Sequence, residues 1–143
     1  MRRTVIALDA NIFIYFLEGN SEFGNDSVTM FRYGEHDKVE LCASDITIME
    51  VLAQPLINAV QAEAAYAKLM ALGVRYEPIS RRVLLEAARL RRAYQFGAMD
   101  AIHVASAILA GCTHFITNDR HILRKKLPEI HITSLKSATK LFV

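Results

Sequence analysis

Five short segments read as strands punctuate the chain: TVIAL (4–8), an apolar β-branched run, then KVELCAS (38–44), VRYEPI (74–79), THFIT (113–117) and IHITS (130–134). Between them lie segments with helical spacing, at 11–20, 25–36, 45–54, 58–72, 81–96 and 99–111, then a loop and helical turn at 118–126. Strands separated by helices must return in the same direction, so this alternation predicts a parallel sheet covered on both faces. Ser44 and Ser80 are placed to cap the helices they precede, and Gly73, Gly97 and Gly111 to interrupt or end helices. The expectation is α/β: a parallel sheet of about five strands flanked by helices, forming one domain over residues 1–143 without repeat or linker.

The totals agree with that fold. Apolar residues make up 52% and charged residues 22% of 143, a globular composition. No apolar run reaches the roughly 18 residues of a membrane span, and Asp9 interrupts the first one. The reading is a cytoplasmic protein with no membrane partner. Cys42 and Cys112 have no zinc-binding spacing and read as buried apolar residues. A net charge of +2 neither requires nor opposes nucleic-acid binding.

The acids carry the chemical information. Asp9 ends the first strand, Glu50 and Asp100 belong to the first turns of helices, and Asp119 follows the fourth strand by two residues. Open α/β sheets bind ligands beyond the carboxyl ends of their strands, so all four can meet at one edge. Each has an ordinary structural use as well. Asp9 can cap a helix, Glu50 can face solvent, Asp100 can complement a helix dipole, and Asp119 can make a turn. Apolar neighbours on both helices argue for partial burial, which is costly for unpartnered carboxylates. Crowded carboxylates raise one another's pKa, and a hard cation such as Mg²⁺ or Mn²⁺ resolves that conflict. On this reading Asp9 helps to hold a metal.

The segments ALDANIFIYFLEGN, ASDITIMEVLAQP and MDAIHVASAILAGCTHFITNDRHI together resemble the PIN domain family, in its VapC-type toxin branch. The resemblance implies a PIN-like (Rossmann-like) fold and a metal-dependent endoribonuclease leaving a 5′-phosphate and a 3′-hydroxyl. By resemblance Asp9, Glu50, Asp100 and Asp119 form the catalytic, metal-holding cluster. Asn11, Ser44, Thr47, Thr117 and Asn118 support it. The resemblance also implies an RNA substrate, a cognate antitoxin and a homodimer. Asn11 stands where a haloacid-dehalogenase-type phosphatase would need a second Asp, which counts against that rival. Two further rivals are a PIN nuclease of RNA maturation or decay and a non-catalytic PIN-like binding module.

Arg91, Arg92, Arg120 and Arg124 are candidate phosphate contacts, with Arg120 and Arg124 favoured because they flank Asp119. A solvated helix face is the competing reading. His103, one turn after Asp100, reads as a packed or supporting histidine and not a ligand, and His121 as a surface residue. Phe13, Tyr15 and Phe16 read as core, although with the second helix they offer a groove for a partner helix.

Overall fold

The computed structural model describes residues 3–55 and 57–141. Five strands, β1 (Thr4–Leu8), β2 (Val39–Ser44), β3 (Arg75–Glu77), β4 (His114–Ile116) and β5 (His131–Thr133), form one sheet in the order β3-β2-β1-β4-β5. Every pairing is parallel. The helices are α1 (Ala10–Glu18), α2 (Gly24–Tyr33), α3 (Ile46–Leu52), α4 (Ala59–Ala71), α5 (Arg81–Tyr94), α6 (Ala98–Leu109), α7 (Arg120–Leu123) and α8 (Leu135–Ala138). The chain builds outward from β1 to β3 and then returns to place β4 on the other side of β1. The strand order therefore reverses between β1 and β4, the crevice where sheets of this kind bind ligands.

Period-2 side-chain alternation divides the core. Ile6, Leu8, Leu41, Ala43 and Ile116 face α1, α2, α4 and α8. Ala7, Cys42 and Phe115 face α5 and α6. Ala101 and Ala105 of α6 are fully buried, and Ala7 and Cys42 nearly so, so that small residues line both sides of this contact. Cys42 and Cys112 are buried free thiols with their Sγ atoms 2.8 Å apart, which bears out their packing role. Among the described residues no helix is long and apolar enough to cross a membrane.

Several boundaries differ from expectation. The helix predicted to run to residue 96 ends at Tyr94, because Gln95 adopts a left-handed conformation with φ 59°. Gly97 instead occupies the N-cap of α6. Ser44 is the last residue of β2 and not the cap residue of α3, which is Asp45. Its hydroxyl nevertheless accepts from the Ile46 N–H at 3.2 Å. Ser80 caps α5 as expected. Helix α4 starts with a reciprocal Asn58–Gln61 capping box, a signature present in the sequence and overlooked there. The four-residue α8 was also not expected.

Phe115 is almost fully buried at the centre of the α5/α6 side. Phe115→Ala is expected to cost about 3–5 kcal/mol in urea unfolding with an unchanged m-value. Tyr66→Ala, on the exposed face of α4, is expected to cost no more than about 0.5 kcal/mol.

Candidate active site

Asp9 leaves β1 at the strand-order reversal and caps α1. Its Oδ1 accepts from the Ala10 N–H at 2.8 Å, and its Oδ2 from the Thr117 hydroxyl at 2.7 Å. The backbone beneath is fixed by Asp9 N donating to Ile116 O and Thr117 N donating to Thr133 O. The Thr117 oxygen also accepts from Asp119 N at 3.0 Å. One buried hydroxyl thus sets the positions of both strand-end acids. Asp119 in turn caps α7 through Oδ1, which accepts from His121 N at 2.8 Å. The capping and turn roles expected of Asp9 and Asp119 are therefore present together with their placement at the crevice.

Asp100 is the third residue of α6 and half buried. No hydrogen bond among the described residues reaches its carboxylate. Burial raises its pKa, and the charges of Asp119, Asp9 and Glu50 raise it further, while His103 opposes them. Asp9, Glu50 and Asp119 therefore all lie within electrostatic reach of Asp100. Asp9 is only 6% exposed, and burial raises its pKa against the opposing effects of His103, Thr117 and the Ala10 N–H. Glu50 lies in the second turn of α3, one turn later than the sequence reading placed it.

His103 takes a larger part than packing alone. It is 2% exposed, and its Nε2 forms a short hydrogen bond with Glu50 Oε1 and sits 3.7 Å from Asp9 Oδ1. Burial lowers its pKa, but the Glu50 hydrogen bond and the charges of Asp9, Glu50 and Asp100 reverse that, and the net shift is upward. His103 thus ties α6 to α3 and partly neutralises the acids nearest it. The i, i+3 spacing from Asp100 places both side chains on one face of α6, and that was the sequence signal for it.

The polar residues around the acids divide into two sets. Thr117 and Ser44 have defined partners, and Asn118 Oδ1 accepts from Leu135 N at 3.1 Å, anchoring α8. Among the described residues, Asn11 Oδ1 and Thr47 Oγ1 are buried with no hydrogen-bond partner, a cost of about 1–3 kcal/mol each. Arg92, Arg120 and Arg124 are exposed. Arg91 is exposed as well but donates to Phe96 O at 3.2 Å, bracing the α5–α6 turn. His121 is exposed, as expected. Phe13 and Phe16 pack edge-on against Phe31, and Tyr15 against Phe23, so these aromatic rings belong to the α1–α2 interface.

The donor set is oxygen-rich and electrostatically uncompensated, which fits a hard divalent cation better than a soft one. Among the described residues, no three His, Cys, Asp or Glu side chains close into a group that holds a metal ion as they stand. An ion such as Mg²⁺ that keeps several of its waters does not need such a cage.

The PIN domain family model matches residues 6–127, and the chain belongs to the PIN domain family. Its fold is shared with several solved structures. A chain of a toxin–antitoxin complex from Klebsiella pneumoniae aligns with TM-score 0.65 and 23% identity, covering 87% of this chain and 94% of that one. A chain of VapBC2 from Rickettsia felis, solved bound to a DNA fragment from its promoter, aligns with TM-score 0.71 and 14% identity over 92% and 98% of the two chains. The Mycobacterium tuberculosis VapC20, described as a sarcin–ricin loop cleaving toxin, aligns with TM-score 0.62 and 13% identity over 77% and 86%. No curated protein matches the sequence significantly.

Asp100→Asn is expected to stabilise the protein without divalent ions by about 0.5–2 kcal/mol at neutral pH, because it removes one of several repelling charges. The gain falls toward the lower end where solvent screens the group. The folded-state pKa of Asp100 lies above the ordinary 3.8, so its ionisation costs stability above the folded pKa. The advantage of the variant must therefore shrink as pH falls through that value. Thermal unfolding of parent and variant between neutral and acid pH measures it.

Proposed function

We propose that the protein is a metal-dependent endoribonuclease, the toxin of a type II toxin–antitoxin pair, using Mg²⁺ or Mn²⁺. The observation that carries the reading is the gathering of Asp9, Glu50, Asp100 and Asp119 at the strand-order reversal, with Asp9 and Asp100 both pushed up in pKa. Membership of the PIN family and the likeness to toxin structures support it.

Asp9, Asp100 and Asp119 are the residues assigned to hold the ion. Bound there, a divalent ion would supply a water of lowered pKa and would offset charge on the phosphate oxygens. The hydrogen bonds divide the remaining roles. Both Asp9 oxygens are already engaged, by Ala10 N and Thr117 Oγ1, which makes Asp9 the fixed anchor. Asp119 has only Oδ1 committed, to His121 N, and its other oxygen is the better acceptor for the water's proton. Glu50, held by His103, orients the site from α3. The buried, unpartnered oxygens of Asn11 and Thr47 are acceptors for ordered water beside the acids. Arg120 and Arg124 flank Asp119 and bind the RNA phosphates, with Arg92 and Arg91 extending that surface along α5.

Phe13, Tyr15 and Phe16 of α1 pack against Phe31 and Phe23, and Phe16 also lines a groove with Leu17 and Leu72. A groove of about 670 Å³ opens between α1 and α4, lined by Ile14, Leu17, Val51, Ile57, Ala64 and Ala65 among others, with Glu18 and Lys68 also lining it. An amphipathic antitoxin segment fits this composition: apolar on one face and charged beside it. The homodimer remains part of the proposal, with exposed Leu84 and Leu85 on α5 as apolar surface available to it. A cytoplasmic location follows from RNA as substrate.

The first test is cleavage of a panel of labelled RNAs with Mg²⁺, Mn²⁺ or chelator. The parent is expected to cut at least one RNA only with metal, and Asp9→Asn to lose at least a hundredfold in rate with its fold intact by circular dichroism. Absence of both cleavage and divalent binding in the parent would leave the non-catalytic binding module as the reading. Ala65→Glu, in the groove, is expected to weaken binding of the proposed cognate antitoxin at least tenfold, with RNA cleavage unchanged. Pull-down and titration of that protein measure it.

A further inference from the structure

Two histidines at the opposite edge of the sheet take no part in the acidic site. His114 opens β4 and His131 opens β5, and they are in register on adjacent parallel strands. Side chains in register leave the same face of a sheet. Their ring centroids are 5.3 Å apart with planes tilted by 35°. The strands are held together at this level by His131 N donating to Thr113 O at 3.0 Å.

The Thr113 hydroxyl engages one ring nitrogen of His114. Its Oγ1 lies 3.3 Å from Val5 O and 2.8 Å from His114 Nδ1. Val5 O also accepts from Thr113 N at 2.9 Å. With the hydroxyl proton on Val5 O, the hydroxyl oxygen accepts from His114 Nδ1–H, and in that tautomer Nε2 of His114 keeps its lone pair. Partial burial lowers the His114 pKa, and the neighbouring His131 lowers it further, which favours a neutral ring. An imidazole with one nitrogen tied to a second group and the other bare is the usual state of a metal-binding histidine.

The spacing fits one ion between the rings. Two imidazoles bound to a tetrahedral Zn²⁺ at about 2.0–2.1 Å have centroids roughly 5.2 Å apart. We propose that His114 and His131 form a binding site for a borderline divalent cation, Zn²⁺ in the first instance, with water completing its shell. Among the described residues no third His, Cys, Asp or Glu joins the pair, so it binds more weakly than a structural zinc site with four protein ligands. Its ligand chemistry is the opposite of that at the acids: imidazole suits Zn²⁺, whereas carboxylate and water suit Mg²⁺. Strand β4 separates the two, since His114 and Thr117 are three residues or about 10 Å apart along it. The proposal is independent of the nuclease reading.

Calorimetric titration of Zn²⁺ into the full chain, in excess Mg²⁺ to occupy the carboxylates, tests it. His131 is exposed, so His131→Ala keeps the fold. The parent is expected to bind one Zn²⁺ that His131→Ala and His114→Ala each weaken at least tenfold, and Thr113→Val by less. Zinc is also expected to shift the imidazole NMR signals of His114 and His131 together, leaving those of His36 and His121 in place. Equal zinc affinity in the parent and His131→Ala, or no zinc binding by the parent below millimolar concentration, would overturn the site.

Discussion

The Thr117 hydroxyl is the interaction on which the arrangement of the crevice depends. It is fully buried, and it uses its single proton on Asp9 Oδ2 while accepting from Asp119 N. Asp9 follows the first strand and Asp119 lies beyond the fourth, so the pair is distant in sequence and adjacent only because β4 returns beside β1. A buried hydroxyl with both capacities used is rigid, and a buried carboxylate is tolerable only with such partners. Replacing it with an alkyl group leaves Asp9 Oδ2 and the Asp119 N–H without a partner at once. The parallel topology supplies the proximity, and the hydroxyl turns that proximity into a defined geometry.

The same crevice carries the principal electrostatic conflict of the chain. The hydrophobic core is divided cleanly between the two faces of the sheet. At its carboxyl edge, however, Asp9, Glu50 and Asp119 all lie within electrostatic reach of Asp100, and a single buried histidine stands among them. His103 cannot neutralise all four. It engages Glu50 and Asp9, and leaves the Asp100 carboxylate with no hydrogen bond among the described residues and Asp119 as its largest repelling neighbour. Natural sequences that depart from locally consistent design usually do so at functional sites. The departure here lies where the fold independently places ligand binding.

Much of this was legible in the sequence for physical reasons that can be named. The central β1 was legible because a parallel strand buried on both faces shows as a continuous β-branched run. The four acids were legible because each interrupts or adjoins such apolar segments. Tertiary details were not. Gln95 ends α5 in a left-handed conformation that sequence reasoning reserves for glycine, and Gly97 drew the boundary past it. The far wall of the groove beside α1 was not legible either. Aromatic residues in α1 and α2 signal apolar faces but do not say that those faces meet, and that far wall is the plainer, alanine-rich α4. His103 was legible as a position on the acid-bearing face of α6, but its bond to Glu50 depends on how α3 packs against α6.

The placement of α6 explains why positions so distant in sequence act as one unit. Its first turn carries Asp100, its second carries His103, and its buried alanines hold it closely against the sheet. Any shift of α6 along the sheet would move Asp100 and His103 together relative to Asp9, and would pull Glu50 through the His103 bond. Small side chains at the α6 contact therefore do more than fill volume, because a larger residue there would lift both groups away from the strand ends. The geometry of the crevice is set by packing beneath it as much as by the hydrogen bonds within it. That coupling is also why α6, although almost wholly apolar apart from Asp100 and His103, was the segment most informative about chemistry.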